Sequence, residues 1–271
     1  MGRMRRRLAA GMALALALVA CGGQQTKTRS ARRADGAVTA ATASTAPATA
    51  APTPDVTRAS PAAPNESVVA NARETVHSVG IYDSPVQPEP VRQLANPVVS
   101  GARLVFLVQE RHAEWLKVLL PVRPNGSSGW IRQSDVELST HDYRIVVELN
   151  AHRLTVFKGA DLFMKEPIGV GRAETPTPGG LYYTKELLQP TDGRGRPIVN
   201  GPYGPYAYAL SGFSEVLYNF AGGDGVIGIH GTNDPGGLGK DVSHGCIRLN
   251  NDAITKLAKT LPVGVPVEIK A

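Results

Sequence analysis

The sequence predicts a mainly β protein with two folded blocks behind a long unstructured N-terminus. Three observations carry that prediction. The apolar runs from Val76 onward are short, rich in β-branched and aromatic residues, and separated by turn clusters. Gly (29) and Pro (21) are frequent among the 271 residues, which suits tight turns better than long helices. Only one stretch repeats convincingly with a helical period, where Ile254, Leu257, Ala258 and Leu261 fall at i, i+3, i+4 and i+7.

In chain order, residues 1–7 are basic and Leu8–Ala20 is an apolar run of 13 residues. That is short of the ~20 needed to cross a bilayer, so residues 1–20 read as a signal peptide. The sequence Leu18-Val19-Ala20-Cys21-Gly22 resembles the lipobox of bacterial lipoproteins. The resemblance implies cleavage before Cys21, a lipid on that cysteine, and an exported, membrane-anchored protein facing the cell wall. An ordinary secretory signal with an incidental cysteine is the alternative. Residues 21–66 would be the lipidated terminus and a disordered tether. Between Ala37 and Pro64, 24 of 28 positions are Ala, Thr, Pro or Ser and none is aromatic, too little apolar surface to order the chain.

The formal net charge of +6 belongs to this end. Eight basic residues precede Asp35, and the rest of the chain carries 21 basic and 23 acidic groups. A phosphate backbone would find no net charge to exploit there, so no nucleic-acid partner is expected.

Within residues 67–140, Val76–Tyr82, Leu104–Val108 and Trp115–Val122 read as strands, 124–129 as a turn, and Gly129-Trp130-Ile131 as the start of another strand. The stretch Glu114–Ile131 resembles bacterial Src-homology-3-like domains, which implies a small β-barrel. Trp115 and Trp130 are expected as core and rim residues of it, a peptide- or glycan-binding face being the alternative. Residues 142–271 form the second block. Tyr143–Leu149 and Arg153–Lys158 read as a hairpin around Asn150-Ala151-His152, Leu162–Val170 as a third strand, and Val226–Ile229 as a run that delivers His230. The helix begins at an Asn250 or Asn251 cap and ends before Pro262 and Gly264, and Val265–Ile269 closes as a strand. His77, His112, His141 and His152 are read as surface or core histidines without partners.

Chemistry concentrates in residues 230–249, HGTNDPGGLGKDVSHGCIRL. There are two cysteines, and acylation of Cys21 would leave Cys246 as the only free thiol. A thiol attacks as thiolate, and a neighbouring imidazole supplies the base. Gly245 lets backbone N–H groups approach an oxyanion, and Arg248 suits a carboxylate. By position, His230 and His244 are both candidates for the base. A metal site from His230, His244 and Cys246 lacks a fourth ligand, and no metal or cofactor is expected.

His230-Gly231-Thr232 followed by Ser243-His244-Gly245-Cys246-Ile247-Arg248 resembles the YkuD-type L,D-transpeptidase signature. The likeness extends over Arg144–Gly180, including Thr175-Pro176-Thr177-Pro178-Gly179. It implies a β-sandwich-like catalytic domain over 142–271 and a peptidoglycan stem-peptide substrate. Cys246 would form a thioester with release of D-alanine, and an acceptor amine would resolve it. Carbapenems would acylate the same cysteine. The resemblance makes His230 the general base, oriented by the Gly231 carbonyl, with His244 in support. It makes the Gly245 and Cys246 N–H groups the oxyanion donors, and Arg248 and Ser243 substrate contacts. Water as acceptor would make the protein an L,D-carboxypeptidase, and transfer to a wall-anchored protein is a further option. A sortase-like enzyme is disfavoured by the short His–Cys spacing; a non-catalytic wall-binding lipoprotein is the reading of another class. Tyr203, Tyr206 and Tyr208 are equal candidates for substrate contact in a Gly/Pro-rich stretch.

Overall fold

Short β-branched and aliphatic runs fold as seven strands between Ser67 and His141: β1 (Ser67–Ala72), β2 (Ser78–Ile81), β3 (Arg92–Ala95), β4 (Val105–His112), β5 (Trp115–Leu119), β6 (Ser128–Arg132) and β7 (Val136–His141). The coordinates are a computed structural model that describes residues 65–220 and 222–271, so the leader, Cys21 and the tether up to residue 64 lie outside the described residues. Strands β6-β5-β4-β1-β7 form one antiparallel sheet, and the β2–β3 hairpin joins it through reciprocal backbone bonds between Tyr82 and Trp130.

Alternation along the strands decides what fills this module. Leu116, Val118 and Ile131 point inward to meet Phe106, Val79 and Ile81. Their neighbours Trp115 and Trp130 therefore face outward, half-buried, which places them at the rim and corrects the core part of the expectation. Trp115 packs edge-on against Tyr82 at 4.9 Å, with the Arg132 guanidinium 4.7 Å from its ring.

The second module contains β8 (Tyr143–Glu148), β9 (Arg153–Lys158), β10 (Asp161–Pro167), β11 (Val170–Gly171), β12 (Gly180–Leu188), β13 (Ala207–Phe213), β14 (Val226–His230), β15 (Asp241–Ser243), β16 (Ile247–Arg248), α1 (Asn251–Thr260) and β17 (Pro266–Lys270). Among the described residues the protein is thus mainly β with one α-helix, as the sequence predicts. Eight strands form a sheet in the order β10-β9-β8-β17-β12-β13-β14-β16. Laid flat, they would span about 34 Å at ~4.8 Å per strand. Yet Met164 on one edge strand and Ile247 on the other share a core with Ile254 and Leu257 of α1. The sheet must curl until its halves face each other, a sandwich-like section. Gly169 and Arg248 complete the approach by exchanging backbone bonds of 3.0 and 2.7 Å.

Asn250 caps α1, its side chain accepting from the Asp252 N–H at 2.8 Å. The neighbouring Asn251 side chain instead accepts from Thr232 N–H at 2.8 Å, tying the helix start to the turn after β14. His152, expected without a partner, lies 2.8 Å from Asp241 and joins the β8–β9 turn to β15. The two modules share a further apolar cluster of Val69, Val105, Leu107, Leu119 and Tyr183. The Tyr183 hydroxyl donates to the Val105 carbonyl at 3.0 Å, and burial pushes its pKa up, so the donor stays neutral.

Candidate active site

Parallel neighbours cannot be joined by a tight turn. Strands β14 and β16 pair in parallel, Ile229 beside Ile247 and His230 beside Arg248, so the chain crosses between them through residues 231–246. That crossing returns Cys246 to the start of β16. Thiol, imidazole and guanidinium converge at one sheet edge because the register puts them there.

His230 is buried, with Nδ1 2.6 Å from the Gly231 carbonyl. A carbonyl only accepts, so Nδ1 carries the proton and Nε2 keeps a free lone pair. Burial lowers the His230 pKa to about 4, the Gly231 carbonyl opposing the shift and the Arg248 charge adding to it. Burial also raises the Cys246 thiol above its ordinary value, with the Gly228 backbone and Arg248 pulling the other way. Around neutral pH the pair is a thiol beside a neutral imidazole.

The loop that presents the sulfur is built from its own hydroxyls. Ser243 Oγ donates to the Cys246 carbonyl at 2.6 Å and accepts the Gly245 N–H at 3.1 Å. Thr177 Oγ1 donates to the Gly245 carbonyl at 2.9 Å and accepts the Gly171 N–H at 2.9 Å. Two expectations need correction. Ser243 is 2% exposed with its hydroxyl engaged inside the loop, so it shapes the loop and does not touch a substrate. Gly245 gives its N–H to Ser243, not to an oxyanion. What Gly245 supplies is backbone shape, since its φ of 114° lies where other residues are strained.

That left-handed turn interrupts the extended alternation that would set His244 beside Cys246. His244 is exposed, and its Nε2 accepts from the Arg172 guanidinium at 2.7 Å, so the lone pair a base needs is engaged. The Phe220 ring lies 5.1 Å from the imidazole. Arg248 makes a loose pair with Asp234 at 4.0 Å, and its Nε is buried without a partner, as is that of Arg172. Sequence reasoning did not find Arg172, Phe220 or Asp234; no spacing marks them. Among the described residues no group of three or more His, Cys, Asp or Glu is arranged to hold a metal ion.

The three tyrosines separate cleanly. Tyr208 is fully buried in β13, its hydroxyl within 3.1 and 2.9 Å of the Leu257 and Leu261 carbonyls, so it belongs to the core. Tyr206 packs partly buried against that core. Tyr203 is 39% exposed, its ring 4.9 Å from that of His230. Burial raises its pKa, and the Cys246 charge adds to the shift. Its position follows from a backbone contact at Gly204 and Gly231, where a Cβ on either would overlap Asn251 Oδ1. Tyr208→Phe should therefore lower stability by about 1–2 kcal/mol and leave activity unchanged. Tyr203→Ala should change Tm little and lower activity roughly tenfold, because the ring set over His230 is lost. Paired thermal melts and rate measurements check both; the opposite pattern would reverse the two assignments.

The family model for the L,D-transpeptidase catalytic domain, YkuD, matches residues 142–269. The protein named "Putative L,D-transpeptidase YkuD" in Bacillus licheniformis is 37% identical over 130 residues, covering 48% of this chain and 67% of that protein. "Putative L,D-transpeptidase YqjB" of Bacillus subtilis is 32% identical over 130 residues, covering 47% of this chain and 71% of that protein. Among solved structures, an L,D-transpeptidase from Mycobacterium smegmatis aligns at 19% identity and a TM-score of 0.36, covering 58% of this chain and 90% of that one.

Proposed function

The chain belongs to the L,D-transpeptidase family of the YkuD domain, and from that premise we propose that it is a peptidoglycan L,D-transpeptidase acting through Cys246. The observation that carries this reading is geometric: the parallel register of β14 and β16 brings Cys246 and the buried His230 to one sheet edge, with His230 Nδ1 held by the Gly231 carbonyl so that Nε2 keeps its lone pair.

In the proposed reaction His230 Nε2 takes the Cys246 proton as the sulfur attacks the carbonyl at the L-centre of the third-position diamino acid. The Cys246 N–H receives the developing oxyanion. The C–N bond to D-alanine breaks, and the imidazolium returns its proton to the leaving amine. An acceptor amine from a neighbouring stem then loses its proton to His230 and attacks the thioester. The sulfur leaves, regains that proton, and a direct link between two diamino acids remains. The Arg248 guanidinium, whose charge acts on both Cys246 and His230, suits a carboxylate of such a substrate. Tyr203 covers the imidazole from the solvent side. Cleavage before Cys21 and its acylation would hold this centre near the wall on the 21–66 tether, with the first module as a Src-homology-3-like accessory domain.

Incubation with purified disaccharide-tetrapeptide, followed by mass analysis, tests the reading. Free D-alanine with a tripeptide–tetrapeptide dimer is expected. Tripeptide without dimer would make water the acceptor and the enzyme a carboxypeptidase. Intact tetrapeptide after exposure to folded protein would remove the transpeptidase reading.

A further inference from the structure

The first module reaches into the second at a turn that the catalytic reading leaves unused. Between β5 and β6, Arg123 points its guanidinium at three backbone carbonyls of the segment that follows β13: Ser214 at 2.7 Å, Leu217 at 3.1 Å and Asp224 at 2.9 Å. The same guanidinium lies 4.9 Å from the Phe213 ring centroid and 4.4 Å from that of Tyr218. Two residues on, the Asn125 side chain donates to the Phe213 carbonyl at 2.8 Å and accepts the Phe213 N–H at 2.9 Å, as a paired strand would. A five-donor fork satisfying three carbonyls has a geometry that a lysine cannot reproduce.

The held segment matters because of where it goes. After Ser214 the chain leaves the sheet with Val216, Tyr218 and Phe220 exposed. Phe220 and Gly223 exchange two backbone bonds of 2.9 Å, which sets the Phe220 ring against His244, two residues from Cys246. Within the segment, Ser214 N–H donates to Gly225 at 2.7 Å and the Ser214 hydroxyl accepts the Leu217 N–H at 3.1 Å, while its hydrogen bonds to the first module come from Arg123 and Asn125.

We propose that Arg123 and Asn125 are positioning residues of the active site: the first module holds Ser214–Phe220 so that Phe220 and His244 form one wall of the stem-peptide cleft beside Cys246. The module is then part of the substrate site and not only a wall-facing appendage. This deepens the transpeptidase reading and rests on it for the identity of the peptide.

The test uses the purified chain with Arg123→Ala, Arg123→Lys, Phe220→Ala and the double variant Arg123→Ala/Phe220→Ala. KM for disaccharide-tetrapeptide should rise roughly tenfold in Arg123→Ala while kcat changes less than about twofold, the pattern of lost ground-state positioning. Phe220→Ala should match it, and the double variant should be no worse than either single one, because both act through one wall. Arg123→Lys should fall between wild type and alanine. A merely structural role would lower Tm and leave KM alone; that result, or effects that multiply in the double variant, overturns the proposal. Should Arg123→Ala not fold, Arg123→Lys and Phe220→Ala decide it by the same KM comparison. Should the wild type not turn over the peptide at all, the transpeptidase reading fails separately. Alkylation of Cys246 by iodoacetamide then reads the wall directly, severalfold faster in Arg123→Ala and Phe220→Ala if the proposal holds and unchanged if it does not.

Discussion

Cys246→Ala is expected to release no D-alanine from disaccharide-tetrapeptide and to gain no mass on exposure to a carbapenem, with melting behaviour close to wild type. The loss in turnover should be on the order of 10⁴-fold or more, since removal of a nucleophile leaves only binding and oxyanion stabilisation. No neighbouring group is placed to replace the sulfur. Ser243 is buried and donates its proton to the Cys246 carbonyl, and Thr232 is 4% exposed. Cys246 is also the only cysteine among the described residues. The smaller side chain costs little in folding because the loop is held by Ser243 and Thr177, not by the sulfur. Intact-protein mass spectrometry with and without a carbapenem checks the expectation. A persistent adduct on Cys246→Ala would place the nucleophile elsewhere.

What the sequence disclosed follows from how local each feature is. The helix is legible because its apolar face repeats every three or four residues and Asn250 caps it; the structure returns Asn251–Thr260. His230 and Cys246 are legible because one short crossing carries both, between two strands that the structure pairs in parallel. What stayed hidden depends on contacts across long separations. Arg172 reaches His244 across 72 positions, and Arg123 reaches Asp224 across 101, so no window of sequence contains either pair. The tyrosines illustrate the same limit. Tyr203 and Tyr208 share composition and neighbourhood, but only the register of β13 sends Tyr208 into the core. Only the Gly204–Gly231 approach sets Tyr203 over His230. Strand β1 was missed for a different reason. It is Ser-Val-Val-Ala-Asn-Ala, with small side chains that carry little strand signal, yet it pairs on both edges and so holds the first sheet together.

His230→Ala should reduce acylation of Cys246 by about 10²–10⁴-fold, the usual contribution of a positioned general base. His244→Ala should cost less than about tenfold, because a histidine that only supports the site supplies no proton transfer. The pH dependence separates two forms of the resting pair. His230 has its pKa lowered to about 4, chiefly by burial, so its base form persists above that value and is lost as pH falls through it. The Cys246 thiol is raised by burial, so it stays protonated through the neutral range and ionises only above its ordinary value. Acylation should therefore rise through about pH 4, not near 6.5, and hold level across neutral pH. An imidazolium–thiolate pair would share that acid limb, but its sulfur would already be ionised at pH 6. Iodoacetamide, which needs thiolate and no base, distinguishes them. Alkylation of wild type should be slow at pH 6 and climb about tenfold per pH unit toward alkaline solution. It should change little in His230→Ala, because the resting imidazole does not ionise the thiol. Fast, pH-independent alkylation from pH 6 upward would establish the ion pair instead, and with it a His230 imidazole far more basic than its burial implies.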